Sequence, residues 1–99
     1  MQIIQSHIKE LQELCTRYFV SKLYVFGSVS TDNVKDTSDV DLLVDFKGIS
    51  LEKYADNYFD LKFSLEDLFK RPVDLLEEKA LNNPYVIKSI DRTKKLIYG

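Results

Sequence analysis

The chain has 99 residues, of which 44% are hydrophobic and 30% charged, with a formal net charge of −2 at pH 7. That length suits a single domain over residues 1–99, and the composition excludes a disordered chain. The slightly acidic balance lacks the basic footprint of strong nucleic-acid binding, and no apolar run approaches membrane-spanning length.

Residues 3–19 have helical periodicity, with Ile4, Ile8, Leu11, Cys15 and Phe19 recurring three or four apart. Cys15, the single cysteine, is expected to be a buried thiol within this stripe. His7 is expected on the outer surface of the same helix, and with no cysteine cluster near it zinc is not indicated. The opening residues carry no secretory pattern, so a cytoplasmic protein is expected.

Lys22 to Phe26 is β-rich and stops at Gly27, which predicts a strand. Residues 29–38 are small and polar, a loop or a loop with one helical turn. Val40 to Phe46 predicts a second strand. Ser50 suits an N-cap for a long helix from about Leu51 to Lys70, with Leu51, Tyr54, Tyr58, Leu61, Leu65 and Leu68 on one stripe. Pro72 ends that segment, and Val73 to Leu76 predicts a third strand. Asn83-Pro84 marks a short helix to about Asp91, and Lys95 to Tyr98 a final short strand. The order α-β-β-α-β-α predicts an α/β (α+β) fold around a small mixed β-sheet.

Asp39 and Asp41 carry the first chemical signal. Residues two apart in a strand point to one face, so their carboxylates stand side by side. Such a pair is costly unless a cation sits between them, and hard cations such as Mg²⁺ prefer carboxylate and phosphate oxygens. The alternative is a solvated edge strand. Gly27-Ser28 follows a strand directly, where glycine lets the backbone approach a ligand and a helix start can hold an anion; the alternative is an ordinary turn. Asp74 emerges from the apolar run PVDLL. If the third strand pairs with the second, Asp39, Asp41 and Asp74 converge.

Gly27-Ser28, ten residues, Asp39-Val40-Asp41 and a later strand aspartate together resemble the minimal nucleotidyltransferase (MNT) family of the DNA polymerase β superfamily. These are the antitoxin-type partners of HEPN-domain toxins. YVFGS, SDVDLLVDF and RPVDLL extend the likeness over roughly residues 3–98. The resemblance implies the nucleotidyltransferase fold with helices mainly on one face of the sheet. It implies that Gly27 and Ser28 bind the nucleotide, ATP. It implies that Asp39, Asp41 and Asp74 are catalytic and hold two Mg²⁺ ions. The implied activity is transfer of AMP to a hydroxyl on a partner protein, a HEPN toxin tyrosine. Many members read G-S-x-A-R-G; here Thr31 and Asp32 replace the arginine and glycine, so a fixed positive charge near the phosphates is absent. An antitoxin that neutralises by contact alone is the alternative, and a small α/β protein with acidic strands a third reading.

On the long helix Phe59 and Phe63 fall opposite the apolar stripe, among Glu52, Asp56, Glu66 and Asp67. Two aromatics one turn apart on an outer face predict a partner or homodimer interface.

Overall fold

The computed structural model describes residues 2–27 and 39–99. Ser28, Thr31, Asp32 and the expected loop at 29–38 therefore lie outside the described residues.

Residues 3–19 are not one helix. Helix α1 spans Gln2–Gln5 and helix α2 spans Ile8–Arg17. The break falls at Ser6-His7. His7 is half-buried there, with Nδ1 2.8 Å from the Ile3 carbonyl oxygen and its ring edge-on to Phe69 at 5.6 Å. It is not an outer-surface helix residue. Of the expected stripe Ile4, Leu11 and Cys15 bury on one side, whereas Ile8 and Phe19 are exposed and leave it, Phe19 in the left-handed turn before β1.

Strand β1 (Val20–Phe26) starts two residues earlier than expected. Val20 pairs with Phe46 across a register shift between Val20 and Lys22, a bulge that restores pairing after the turn. Strand β2 (Val40–Phe46) matches its expected bounds, and helix α3 spans Leu51–Phe69. Ser50 precedes that helix in extended conformation, but its side chain makes no capping hydrogen bond. Leu51 is 91% exposed and drops out of the apolar stripe, while Asn57 is buried in it and donates from Nδ2 to the Tyr18 carbonyl at 2.7 Å. Lys70 closes the helix in the left-handed region (φ 58°), its N–H bonded to the Glu66 carbonyl. The Glu66 carboxylate accepts from the Val73 N–H at 3.0 Å, tying the helix end to the next strand instead of lying free on the outer face. Strand β3 (Val73–Glu77), a 3-10 turn (Glu78–Ala80), helix α4 (Pro84–Thr93) and strand β4 (Lys95–Tyr98) follow. Asn83 caps α4, its side-chain oxygen accepting from the Tyr85 N–H at 2.9 Å.

Among the described residues the strands form one mixed sheet in the order β3-β2-β1-β4. β1 is antiparallel to both neighbours and β2 is parallel to β3. The parallel pair requires a crossover, which α3 supplies. Leu23, Val25, Leu42, Val44, Val73 and Leu75 fill one face beneath Ile4, Leu11, Cys15, Leu61, Leu65 and Phe69. Each fully buried leucine here contributes about 1.5–3 kcal/mol. The helices α1, α2 and α3 thus share one face, as expected. The other face holds Leu43, which is buried; α4 lies over it through Ile87 and Ile90, beside the 3-10 turn and Leu81.

A candidate active site at the head of the sheet

Alternation along β2 sends Leu42 and Val44 into the core and leaves Asp41, Leu43 and Asp45 on the opposite face. Asp39, just before the strand, is exposed. Strand β3 runs parallel with Asp74 as the register partner of Asp41, so their backbones lie about 4.8 Å apart. Two hydrogen bonds from α3 fix β3 in place: the Tyr54 hydroxyl donates to Glu77 and the Tyr58 hydroxyl to the Leu75 carbonyl. Burial, and then its Glu77 partner, push the Tyr54 phenol well above its ordinary range.

The third strand pairs with the second, which sets Asp74 beside Asp41 at one end of the sheet. Burial raises the pKa of the Asp41 carboxyl, and the carboxylates of Asp74 and then Asp39 raise it further. Among the described residues, however, no three histidine, cysteine or acidic side chains are gathered closely enough to hold a metal ion as they stand. The trio is a convergence of strand positions and not a closed ligand set. Its chemistry is all carboxylate oxygen beside a repelled, desolvated acid, which fits a hard divalent cation better than a soft one. Asp45 lies four residues further along β2 and takes no part. Lys79 Nζ approaches its Oδ1 at 3.4 Å, an ion-pair distance without a hydrogen bond.

Gly27 sits against the same carboxylate. On β1 the register partner of Asp41 is Phe26, and Gly27 follows with φ +74°. A Cβ on Gly27 would stand 2.5 Å from Asp41 Oδ2. The glycine is thus required twice, by its backbone and by the carboxylate packed against it. Its N–H donates to Thr93 Oγ1 at 3.2 Å, at the last residue of α4. Thr93 carries no local signal in the sequence; only the fold brings it to this turn. Phe59 and Phe63 lie elsewhere, on the outer side of α3. They are 49% and 60% exposed and stacked at 6.2 Å with 27° between their rings.

Residues 9–99 match the family model described as polymerase beta, nucleotidyltransferase. The chain belongs to that family. MJ0126 of Methanocaldococcus jannaschii, which carries a provisional protein adenylyltransferase name, is 39% identical over 98 residues, covering 98% of this chain and 91% of its own length. A solved structure given provisionally as a minimal nucleotidyltransferase superposes with a TM-score of 0.75 at 29% identity, covering 95% of this chain and 92% of that one. The structure of a tri-AMPylated Shewanella oneidensis HEPN toxin in complex with an MNT antitoxin gives a TM-score of 0.67 at 19% identity, covering 100% of this chain and 73% of its match, a likeness of fold. The nucleotidyltransferase fold expected from Gly27 and the Asp-x-Asp element is therefore present. No described helix is long and apolar enough to cross a membrane.

Proposed function

We propose that this nucleotidyltransferase is a cytoplasmic antitoxin, residues 1–99 acting as one domain, that transfers AMP from ATP to a hydroxyl on a HEPN toxin, a tyrosine. The observation that carries the reading is the contact of Gly27 with Asp41 beside Asp74. It joins a phosphate-approach turn to an acidic pair, which are the parts that nucleotidyl transfer needs. The name of MJ0126 and the AMPylated toxin bound in the S. oneidensis complex support the choice of AMP and of acceptor.

Asp39, Asp41 and Asp74 would hold Mg²⁺, two ions, which when bound neutralise the triphosphate and acidify the attacking hydroxyl. Gly27, lacking a side chain, lets the Asp41 carboxylate close on the turn, and Gly27 with Ser28 would bind the triphosphate there. Asp74, exposed like Asp39, takes the acceptor proton on a carboxylate oxygen. The acceptor oxygen then bonds to the α-phosphorus while the bond to pyrophosphate breaks. The chain would be incubated with labelled ATP, Mg²⁺ and the product of its neighbouring gene. The expected result is labelled toxin with wild type and none with Asp41→Asn. No transfer by wild type, or equal transfer by Asp41→Asn, overturns the reading.

A second reading is neutralisation by contact, favoured by the exposed Phe59–Phe63 stack. Its fringe includes Glu52, Asp56 and Asp67, so the facing surface is expected to be basic around an apolar centre. A second copy of this chain is the other occupant. The Asp39→Asn/Asp41→Asn double variant still protects cells from the toxin if contact suffices.

A further inference from the structure

Helix α4 ends where strand β1 ends, and three contacts in succession join them. Thr93 Oγ1 accepts from the Gly27 N–H at 3.2 Å. Lys94 Nζ stands 4.9 Å from the Tyr24 ring centroid, held there by Asp91 Oδ1 at 2.9 Å. Lys95 then enters β4 as the register partner of Val25. We propose that Thr93 is a positioning residue for the transfer reaction: its side-chain oxygen fixes the Gly27 peptide and, through it, the Asp41 carboxylate. The inference rests on the nucleotidyl-transfer reading above and deepens it.

The need for a brace comes from the turn itself. Phe26, the last residue of β1, pairs with Asp41, and Gly27 then leaves the ladder at φ +74°. Glycine has the widest choice of backbone conformation, so contacts, and not its own preference, decide where such a turn lies. Thr93 supplies one of them. Asp41 supplies another, because its Oδ2 lies 2.5 Å from the place a Gly27 Cβ would take, so the carboxylate rests on the bare glycine. A turn that shifts carries this seat with it.

Threonine suits the position. In a helix its hydroxyl commonly turns back on a carbonyl of its own preceding turn. Here the oxygen takes an N–H from a different element, 66 positions away in the chain. It does so without adding a further negative charge beside the aspartates. Ile90 is the one buried residue of α4, so the last turn of the helix owes its fixed place largely to these polar contacts with β1.

The test uses Thr93→Val, which keeps the branched shape without the acceptor, and Thr93→Ser, which keeps the acceptor. Three quantities are measured for both variants and for wild type: amide hydrogen exchange at Gly27, Tm, and kcat for AMP transfer at saturating labelled ATP, assayed below each Tm. The Gly27 amide of wild type is expected to be protected. A displacement near 1 Å in a reacting group costs roughly 10²-fold in rate, and loss of this bond shifts the turn by less, so kcat in Thr93→Val is expected to fall about ten-fold. Its Gly27 amide exchanges faster, and its Tm falls by no more than about 8 °C. Thr93→Ser recovers most of the rate and of the protection. An unprotected Gly27 amide in wild type overturns the brace, whether or not Thr93→Val folds. So does wild-type kcat in Thr93→Val, and so does equal loss in the two variants, since the oxygen is then not the cause. A loss of Tm and rate with unchanged exchange at Gly27 assigns Thr93 to the packing of α4 and overturns it too. In each of these cases transfer by wild type leaves the reaction standing. No transfer by wild type overturns the reaction and the positioning role together.

Discussion

Replacing Gly27 with alanine separates two costs that the structure places at one residue. The first is conformational: at φ +74° an L-residue is in the left-handed region, at about 1–2 kcal/mol. For a domain of this size each kcal/mol lowers Tm by about 4–8 °C, so a fall of about 4–16 °C is expected. The second is steric and local. The new Cβ would stand 2.5 Å from Asp41 Oδ2, so the carboxylate must retreat by about 0.9 Å to reach a 3.4 Å contact. A shift near 1 Å in a reacting group costs roughly 10²-fold in rate, about 2.7 kcal/mol. The loss of transfer is therefore expected to exceed the loss of stability. Calorimetric melting and AMP transfer from labelled ATP, assayed below the variant's own Tm, measure the two separately. A variant that loses stability but keeps wild-type kcat/KM refutes the argument that the bare glycine holds Asp41 in place.

Other expectations follow from the core and the surface. Asn57→Ala leaves the half-buried Tyr18 carbonyl without its donor and should cost about 1–3 kcal/mol in urea denaturation. Burial pushes the Cys15 thiol up to about 12, so it should resist iodoacetamide at pH 8 and react only at the rate of unfolding. Because its folded pKa lies above the unfolded value of 9.0, the stability it contributes is full below pH 9 and declines as pH rises towards 12; a melt series at alkaline pH checks the direction. Phe59→Ser/Phe63→Ser should change Tm by only a few degrees, since both rings are half exposed, yet weaken the complex with the toxin in a pull-down of purified proteins. An unchanged complex removes these rings from the interface.

Strand β2 was legible to the residue because a largely apolar run, Val40 to Phe46, stands between small polar residues and Gly48. Helix α3 was legible from its apolar stripe, although that stripe includes Asn57, whose polarity hides the hydrogen bond that makes it a core residue. The interruption at His7 was not legible, since Ile4 and Ile8 keep helical spacing across it. Of the candidate site, the partnership of Asp41 with Asp74 depended on a strand pairing that spacing suggests and only topology decides. The contact between Gly27 and Asp41 was not marked in the sequence; the register of β1 with β2 brings them together and the missing Cβ makes room for it. Thr93, 66 positions from Gly27, belongs to the class of residues that no local pattern marks.

The parallel alignment of β2 with β3 has a final consequence. A slip of one residue would turn Asp74 inward under α3 and bring Val73 or Leu75 out to water. Oil and charge therefore enforce the same alignment from opposite sides of one strand pair. A sequence change that tempts the core to re-pair must also dismantle the acidic end, so this enzyme has no misregistered fold that keeps a working site. Loss of the site is then a sensitive early alarm for damage anywhere along that seam.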